Sequence, residues 1–490
     1  MTDISSALFR YELKLFVRRR HTWIVFALLF AAMLWGAFNG QRHAEEQQVT
    51  VERIKLREAN AIKEHKAAAA RYAQPAAARL PYWQDPTDVS GYMRYGLVAF
   101  SVKPPSPLAA ISVGQSKVLP FYLRAELDYL SPPEAAFDFV NPRILSLGDF
   151  DLAFVLVNLL PLALIVLGAS RLSAERDSGA LRLLASHAES PRRLIILKFA
   201  TMALACVPVV LLMTGLSLAM AGAPVLDVQA WRVLSVVALA VAGYAVFWIG
   251  LIALVASRTG VIASHTLLVS LWAALTFLAP AAGAFALELL HPAPSPLRYL
   301  NELRRESNFT PAQRDAIVKG YLTSNPAYAA GADRLAQIPY ATKQIAMQKE
   351  LDRRLLSSVN AIANAQADAK GAAGVLRWLS PSLALDMVLQ TAAGTDAMRQ
   401  ETFLRRARAY TNELRTFFWP RALKEAADPS FPCPGCAGRL NFTDHDSIPR
   451  FVVDSPLANV AERTIGWAVY PWLLAAAMSC MLWRTRSFRF

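Results

Sequence analysis

Six long apolar runs, separated by polar segments, limit the fold of this chain more than any other sequence feature. A transmembrane helix needs roughly 17 to 25 largely apolar residues. Runs of this kind lie at residues 22–39, 151–170, 199–221, 233–256, 261–287 and 464–483. The chain is 54% apolar and only 18% charged, and the charged residues are concentrated between the runs. We therefore expect an all-α polytopic membrane protein with six transmembrane helices in the lipid bilayer.

Two polar segments, at residues 40–150 and 288–463, are far longer than ordinary loops. In the first, the Ala-, Glu-, Lys- and Arg-rich residues 44–73 predict a long, largely solvated helix, and a turn-rich region follows. In the second, helix candidates lie at residues 310–322, 341–367, 381–390 and 396–423. Few stretches alternate polar and apolar residues, so both insertions are predicted to be mainly helical.

Basic residues near the apolar runs predict the orientation, because Lys and Arg are enriched in cytoplasmic loops. They lie at residues 10–20, 171–198, 258 and 484–489, and six spans place all four groups on one side. Both termini (residues 1–21 and 484–490) and the loop at residues 171–198 are then cytoplasmic, and the two long polar segments are periplasmic. This rule explains the formal net charge of +14, so no nucleic-acid partner is predicted.

The segment before the first run mixes apolar and basic side chains, including Leu8, Phe9, Leu13 and Phe16. This pattern suits a helix lying in the membrane interface. A helical extension of the first span is the alternative. The first run is short enough for a signal sequence, but the long basic segment before it and the lack of a small-residue cleavage pattern favour an uncleaved anchor.

Cys433 and Cys436 form a CxxC pair in a Pro- and Gly-rich loop. A thioredoxin-like dithiol would open a helix after a strand, and a zinc centre would need more ligands than nearby His445 and its acidic neighbours supply. A local disulfide or two inert thiols is the favoured interpretation, with metal binding and redox exchange as alternatives, and no metal ligands are assigned.

His265 is, apart from two cysteines, the only side chain within the predicted spans that titrates near neutrality. Ionisable groups inside a membrane are often functional, so a place on a substrate path is one interpretation. A hydrogen-bonded contact between helices is the other.

Several catalytic motifs do not occur in the sequence. There is no GxxxxGK[ST] phosphate-binding loop, HExxH metal motif or GxSxG nucleophile motif. The spans also lack the series of acidic residues typical of proton-coupled transporters. We predict that the chain is not an enzyme and has no catalytic residues or cofactor of its own, so energy for any transport comes from a partner.

The loop between the second and third runs has the pattern of a short amphipathic helix held at both ends by spans. Its apolar edge fits a helix that lies in a partner's groove, and its charges fit the rim of such a contact. The candidate contact residues are Glu175, Arg176, Asp177, Ser178, Gly179, Leu181, Arg182 and Leu184. Ser190-Pro191-Arg192-Arg193 and Lys198 complete the segment.

This loop resembles the signature loop of ABC-2 type permeases. Asn141-Pro142, Gly148-Asp149-Phe150-Asp151 and Leu379-Ser380-Pro381 are similar to a bacterial subgroup with enlarged periplasmic domains, akin to gliding-motility and nitrous-oxide-reductase-maturation permeases. The resemblance implies a coupling helix docked on a separate cytoplasmic ABC ATPase dimer, which binds ATP and Mg. It also implies a second permease subunit, identical or related, and a bacterial inner membrane location.

Three functions remain open from the sequence. The first is a permease subunit that couples ATP hydrolysis by its partner to export or extraction of a substrate. The second is a mechanotransmitter, which would act on a periplasmic protein partner without moving a solute. The third, which the loop disfavours, is a membrane-anchored periplasmic scaffold.

Overall fold

The structure is a computed structural model. It describes residues 2–72, 81–127, 149–177, 179, 191–290, 292, 296–338, 340–427, 444–453, 456–457 and 459–484. The chain is mostly helical in these residues. The predicted helical class is therefore confirmed.

The α-helices follow one another with few strands between them. The first are α1 Thr2–Arg18, α2 Arg20–Tyr72, α3 Val89–Gly91, α4 Leu152–Phe154, α5 Leu160–Asp177, α6 Pro191–Met220, α7 Val228–Ala256, α8 Val261–Ala273 and α9 Ala279–Leu290. The others are α10 Pro296–Ser307, α11 Pro311–Ser324, α12 Tyr340–Leu376, α13 Pro381–Ala393, α14 Ala397–Ala427, α15 Asp444–Ser447 and α16 Val460–Arg484. Short strands β1 Phe100–Val102 and β2 Tyr122–Arg124 pair antiparallel.

Several of these helices are long and apolar enough to cross a membrane. Within the described residues they are Arg20–Tyr72, Leu152–Leu172, Leu194–Met220, Val228–Ala256, Val261–Leu290 and Val460–Trp483. Each overlaps one of the predicted apolar runs. Two of them contain a π-helical turn, at Val155–Leu159 between α4 and α5 and at Ala274–Leu278 between α8 and α9. The chain thus has the helices that a multi-pass membrane protein needs.

Helix α7 lies at the centre of the helical bundle and packs against α5, α6 and α16. Its Tyr244 and Trp248 are fully buried. The contact with α16 depends on Gly243, because a Cβ atom there would lie 2.5 Å from the indole of Trp472. Trp472 in turn donates its indole N–H to the Leu239 carbonyl at 2.9 Å. The absence of a side chain at Gly243 of α7 thus makes room for the indole of Trp472 from α16.

Helix α1 is separate from α2, with a break at Arg19. The N-terminal helix and the first span are therefore not one uninterrupted helix. Helix α2 is one continuous helix of 53 residues, which starts in the bundle and ends in the polar part of the fold. We call the end of the bundle with Arg171, Lys198 and Arg258 the loop end. The opposite end, with Gly40 and Asp151, is the domain end.

The distal half of α2 is more buried than the sequence predicted. Its charge run suggested a largely solvated helix, but Val51 and Ile54 pack on Phe100 and Val102 of β1. The reason is that apolar residues three apart in a polar helix still form one continuous edge. Residues 81–127 also depart from the mainly helical prediction, because the two strands and irregular turns make up most of them.

A helical domain follows the fifth apolar helix. It contains α10, α11, α12 and α14, and its core includes Leu414, Phe418 and Ile345 together with Tyr92 from the first polar segment. Helix α11 begins with a capping box between Thr310 and Gln313. All four helix candidates in this segment are confirmed as helices. One of them, α13, packs instead against α7 and α16 in the bundle.

Candidate functional site

A buried cluster of charges lies at the loop end, between the helices on either side of the predicted coupling segment. The Arg171 guanidinium donates through Nη2 to Oε2 of Glu12 at 3.0 Å. Lys198 Nζ donates to the other Glu12 oxygen and, at 2.7 Å, to Oε1 of Glu175. We call these four residues the loop-end cluster. It joins α1, α5 and α6 through one carboxylate, that of Glu12.

Helical spacing brings the cluster together. Arg171 and Glu175 lie four residues apart on α5 and therefore point to the same side of the helix. One turn beyond Glu12 on α1, the Phe16 ring lies under the Arg171 guanidinium, 5.1 Å from ring centroid to Cζ. Lys198 enters from the first turns of α6. The cluster therefore fixes the two helices that flank the loop relative to the N-terminal helix.

Three residues of the cluster are almost excluded from solvent, and the Glu175 side chain is 29% exposed. Lys198 is 2% exposed, Glu12 5% and Arg171 8%. Two cations and two carboxylates balance in formal charge, which is the condition under which buried charges are tolerated. Removing one partner from such an arrangement typically costs about 3 to 5 kcal/mol, because it leaves an uncompensated buried charge. The cluster is thus a rigid joint rather than a solvated ion pair.

The structure describes only part of the predicted coupling surface. Glu175, Arg176 and Asp177 form the last turn of α5, and Glu175 is turned towards Lys198 inside the bundle. Gly179 has a φ of +75°, and a Cβ atom added there would meet no other atom within 4 Å. Such a left-handed glycine commonly ends a helix. The last predicted contact residues lie outside the described residues, and these are Ser178, Leu181, Arg182 and Leu184.

The other candidates from the sequence lie apart from this cluster. His265 is half-buried in the first turns of α8, and its Nδ1 is 2.8 Å from the carbonyl oxygen of Val261 in the same helix. This geometry favours a hydrogen-bonded role for His265. The bond lies within α8, however, and does not join two helices as the sequence interpretation had it. Cys433 and Cys436 lie outside the described residues. The structure therefore leaves the predicted disulfide untested.

A second polar site, at the domain end, was not predicted from the sequence. Tyr244 of α7 donates its hydroxyl to the Val157 carbonyl at 2.8 Å and lies 2.9 Å from Ser382 Oγ of α13. Ser380 Oγ donates to the Leu275 carbonyl at 2.6 Å. Both carbonyls belong to the π-helical turns, where the altered ladder of hydrogen bonds accommodates outside donors.

A cavity of about 310 Å³ opens beside these hydroxyl groups. Asp151 and Asp386 both line it. Asp151 caps the helix that starts at Leu152 by accepting from the Phe154 N–H at 2.7 Å, and it also accepts from the Val113 N–H at 2.8 Å. Asp386 accepts from Gln390, one turn further along α13, at 2.7 Å. The site therefore combines a structural cap with a polar cleft between α13 and the apolar helices.

Little in the sequence could have located this second site. Ser380-Pro381 marks a helix start, and Asp386 with Gln390 four residues later forms a polar edge on α13. These signals predict a helix with a polar face. They do not predict that the helix lies beside Tyr244, which is 138 residues away from Ser382 in the chain.

Comparison with known proteins finds one family model that matches a segment of the chain. Residues 297–427 match a family described as Domain of unknown function (DUF3526). The matched residues span α10 to α14, so they include most of the helical domain and the bundle-packed α13. No curated protein and no solved structure is detectably similar to the chain.

Proposed function

We propose that the chain is the membrane-spanning permease subunit of an ATP-driven transporter of the ABC-2 type. A separate cytoplasmic ATPase dimer, carrying ATP and Mg, would act on the loop at residues 178–190. The apolar helices would then move a substrate across or out of a bacterial inner membrane, with both termini and the loop in the cytoplasm. The basic residues near the spans support this orientation.

The observation that carries the proposal is the bridge made by Glu12. Its two oxygens bind Arg171, at the end of the helix before the loop, and Lys198, near the start of the helix after it. A push on the loop would therefore displace α5, α6 and α1 together, because buried ion pairs resist separation. A loop without such a joint would absorb the same push by bending.

The apolar helices also suit contact with lipid and with a second permease subunit. The stretch from α8 to α9 is the least buried of the long apolar helices. Its Ile262, Phe285 and Leu289 are exposed in the isolated chain. Large apolar side chains on such a surface require lipid or another protein to cover them.

The decisive experiment is purification from the native membrane in mild detergent, followed by an ATPase assay. We expect a P-loop ATPase to co-purify and its activity to depend on the loop. Glu175→Ala and Arg182→Ala should lower coupled ATPase activity, whereas Glu46→Ala, at an exposed site on α2, should not. Recovery of the intact chain without any ATPase would refute the proposal.

A second candidate function is mechanical action on a periplasmic partner. The observation favouring it is α2, whose 53 residues run unbroken from the bundle into the polar part of the fold. Gly40 of α2 also leaves no room for a Cβ atom, which would lie 2.6 Å from the Ala110 carbonyl oxygen. A helix clamped in this way can transmit a displacement along its axis.

The two candidates differ in their response to a break in α2. Asn60 is exposed, and Asn60→Pro should interrupt the helix there, since proline costs about 3 kcal/mol inside a helix. For a mechanotransmitter, coupled ATPase activity persists while the periplasmic output is lost. For a permease, substrate movement persists in membrane vesicles. Asn60→Ala is the matched control and should preserve both.

A further inference from the structure

An open groove lies in the helical domain, apart from the loop-end cluster and from the polar cleft. It has a volume of about 760 Å³, within the range of pockets for small organic ligands. Three aromatic residues, Tyr321, Tyr328 and Trp419, line it together with Lys349 and Leu423. We call it the aromatic groove. Helices α11, α12 and α14 form its walls, within the segment that matches the family.

Lys349 is held in the groove by neutral groups. Its Nζ donates to the Tyr321 hydroxyl at 2.8 Å. The same ammonium lies 4.9 Å from the ring centroid of Tyr321 and 5.8 Å from that of Trp419. Among the described residues, no carboxylate forms an ion pair with it. Aromatic rings attract a cation but do not neutralise it, so Lys349 can still pair with an anion.

The other charges that line the groove are compensated. Arg415 is 4% exposed, and its Nη1 donates to Oδ2 of Asp352 at 3.1 Å. Arg353 binds Glu350 through two hydrogen bonds of 2.7 and 2.8 Å. The hydrogen bonds from Arg353, with a further one from Arg354, lower the pKa of Glu350 to about 2, so this carboxylate stays ionised at neutral pH. Lys349 is therefore the lining cation that has no carboxylate partner among the described residues.

The remaining wall supplies neutral polar and apolar surface. Asn325, Asn412 and Thr416 line the groove beside Leu356 and Pro420. Arg415 also stacks on Trp419, with 4.7 Å from Cζ to the ring centroid, which holds the indole in place. A fixed indole offers a flat contact without a large entropy cost on binding. The groove thus combines aromatic surfaces and neutral polar groups with one cation that has no carboxylate partner among the described residues.

We propose that the aromatic groove binds a small organic anion, whose carboxylate pairs with Lys349 and whose flat apolar body lies among Tyr321, Tyr328 and Trp419. This function is independent of ATPase coupling and goes beyond the proposed transport role. The carboxylate can belong to a free small molecule or to the C-terminus of a protein segment. Both sources share the chemistry that the groove recognises.

The test is calorimetric titration of the full-length chain in detergent with 1-naphthoate, a flat monoanion, and with its neutral analogue 1-naphthamide. We expect saturable binding of the acid and at least tenfold weaker binding of the amide. Lys349→Gln should weaken naphthoate binding by roughly tenfold to a hundredfold, the usual effect of losing one charge-assisted hydrogen bond. Trp419→Leu should also weaken it.

Lys319→Gln is the matched control, because Lys319 is exposed on α11 and does not line the groove. It should bind naphthoate like the wild type, and circular dichroism should show native helicity for every variant. The proposal is overturned if the wild type does not bind saturably, or if folded Lys349→Gln binds equally well. Titration with Gly-Gly-Trp then separates the sources: tighter binding than naphthoate indicates a protein C-terminus, and weaker binding a free anion.

Discussion

The Arg171 guanidinium donates to the Glu12 carboxylate at 3.0 Å, although 159 residues separate the two in the chain. This contact, together with Lys198 on the other carboxylate oxygen, closes the loop end of the bundle. It gives the N-terminal helix a definite place beside the loop. The proposed coupling function depends on that arrangement.

Neutralising Glu12 should destabilise the bundle. Glu12→Gln leaves Arg171 with a weaker partner inside a nearly dry cluster, and we expect a loss of about 3 to 5 kcal/mol in the free energy of unfolding. Denaturant unfolding in detergent, followed by circular dichroism, measures this change. Glu46→Gln is the control, since Glu46 forms an exposed pair with Arg42. Equal stability of the two variants would contradict a buried joint.

The contact between α7 and α16 leads to a prediction about Gly243. Gly243→Ala places a methyl group 2.5 Å from the Trp472 ring, and overpacking of this kind typically costs about 1 to 3 kcal/mol. The melting temperature in detergent should fall. Gly466→Ala on α16 is the control, because nothing lies within 4 Å of a Cβ at that position. A fall of the same size in both variants would place the cause outside the Trp472 contact.

Gly179 should resist substitution for a different reason, its left-handed backbone. A non-glycine residue costs roughly 1 to 2 kcal/mol in that conformation, so Gly179→Ala should shift the end of α5 and reduce coupled ATPase activity. Gly320→Ala lies within α11 with open space around it and should leave that activity unchanged. Full activity of Gly179→Ala would show that the turn is unnecessary for coupling.

A pH dependence follows from Lys103, which is buried where the segment after β1 meets α14. Its ammonium donates to Gln400, while burial, with Arg399 nearby, lowers its pKa from 10.5 to about 7. The unfolded chain therefore binds more protons than the folded chain between these two values. By linkage, this group makes stability rise with pH between about 7 and 10.5, and below pH 7 its contribution levels off because both states bind the proton.

Lys103→Met removes the titrating group and should flatten this dependence. The measurement is the unfolding midpoint of both proteins at several pH values between 7 and 9. The wild type should gain stability over that interval relative to the variant. If the difference between the two proteins does not change with pH, Lys103 is not the group responsible.

The helices themselves were largely predictable, but their packing was not. Apolar runs and helix-forming composition are local properties of the sequence, so they located most helices to within a few residues. The role of α13 was missed because its position depends on Ser382 meeting Tyr244 and on Ser380 meeting a carbonyl of a π-helical turn. The partial burial of α2 was missed because the strand that covers Val51 lies far along the chain.

The sequence by itself determined that this is a mostly helical chain with several helices able to cross a membrane, because helix length and apolar content are local properties. It also revealed the charged loop at residues 171–198 and the resemblance of that loop to the signature loop of ABC-2 type permeases. Only the tertiary structure decided that Glu175 turns inward to Lys198, that Glu12 joins three helices, and that Lys349 faces aromatic rings without a carboxylate among the described residues. Those outcomes depend on which distant side chains share a buried space, and the energy of a buried charge depends on its partners.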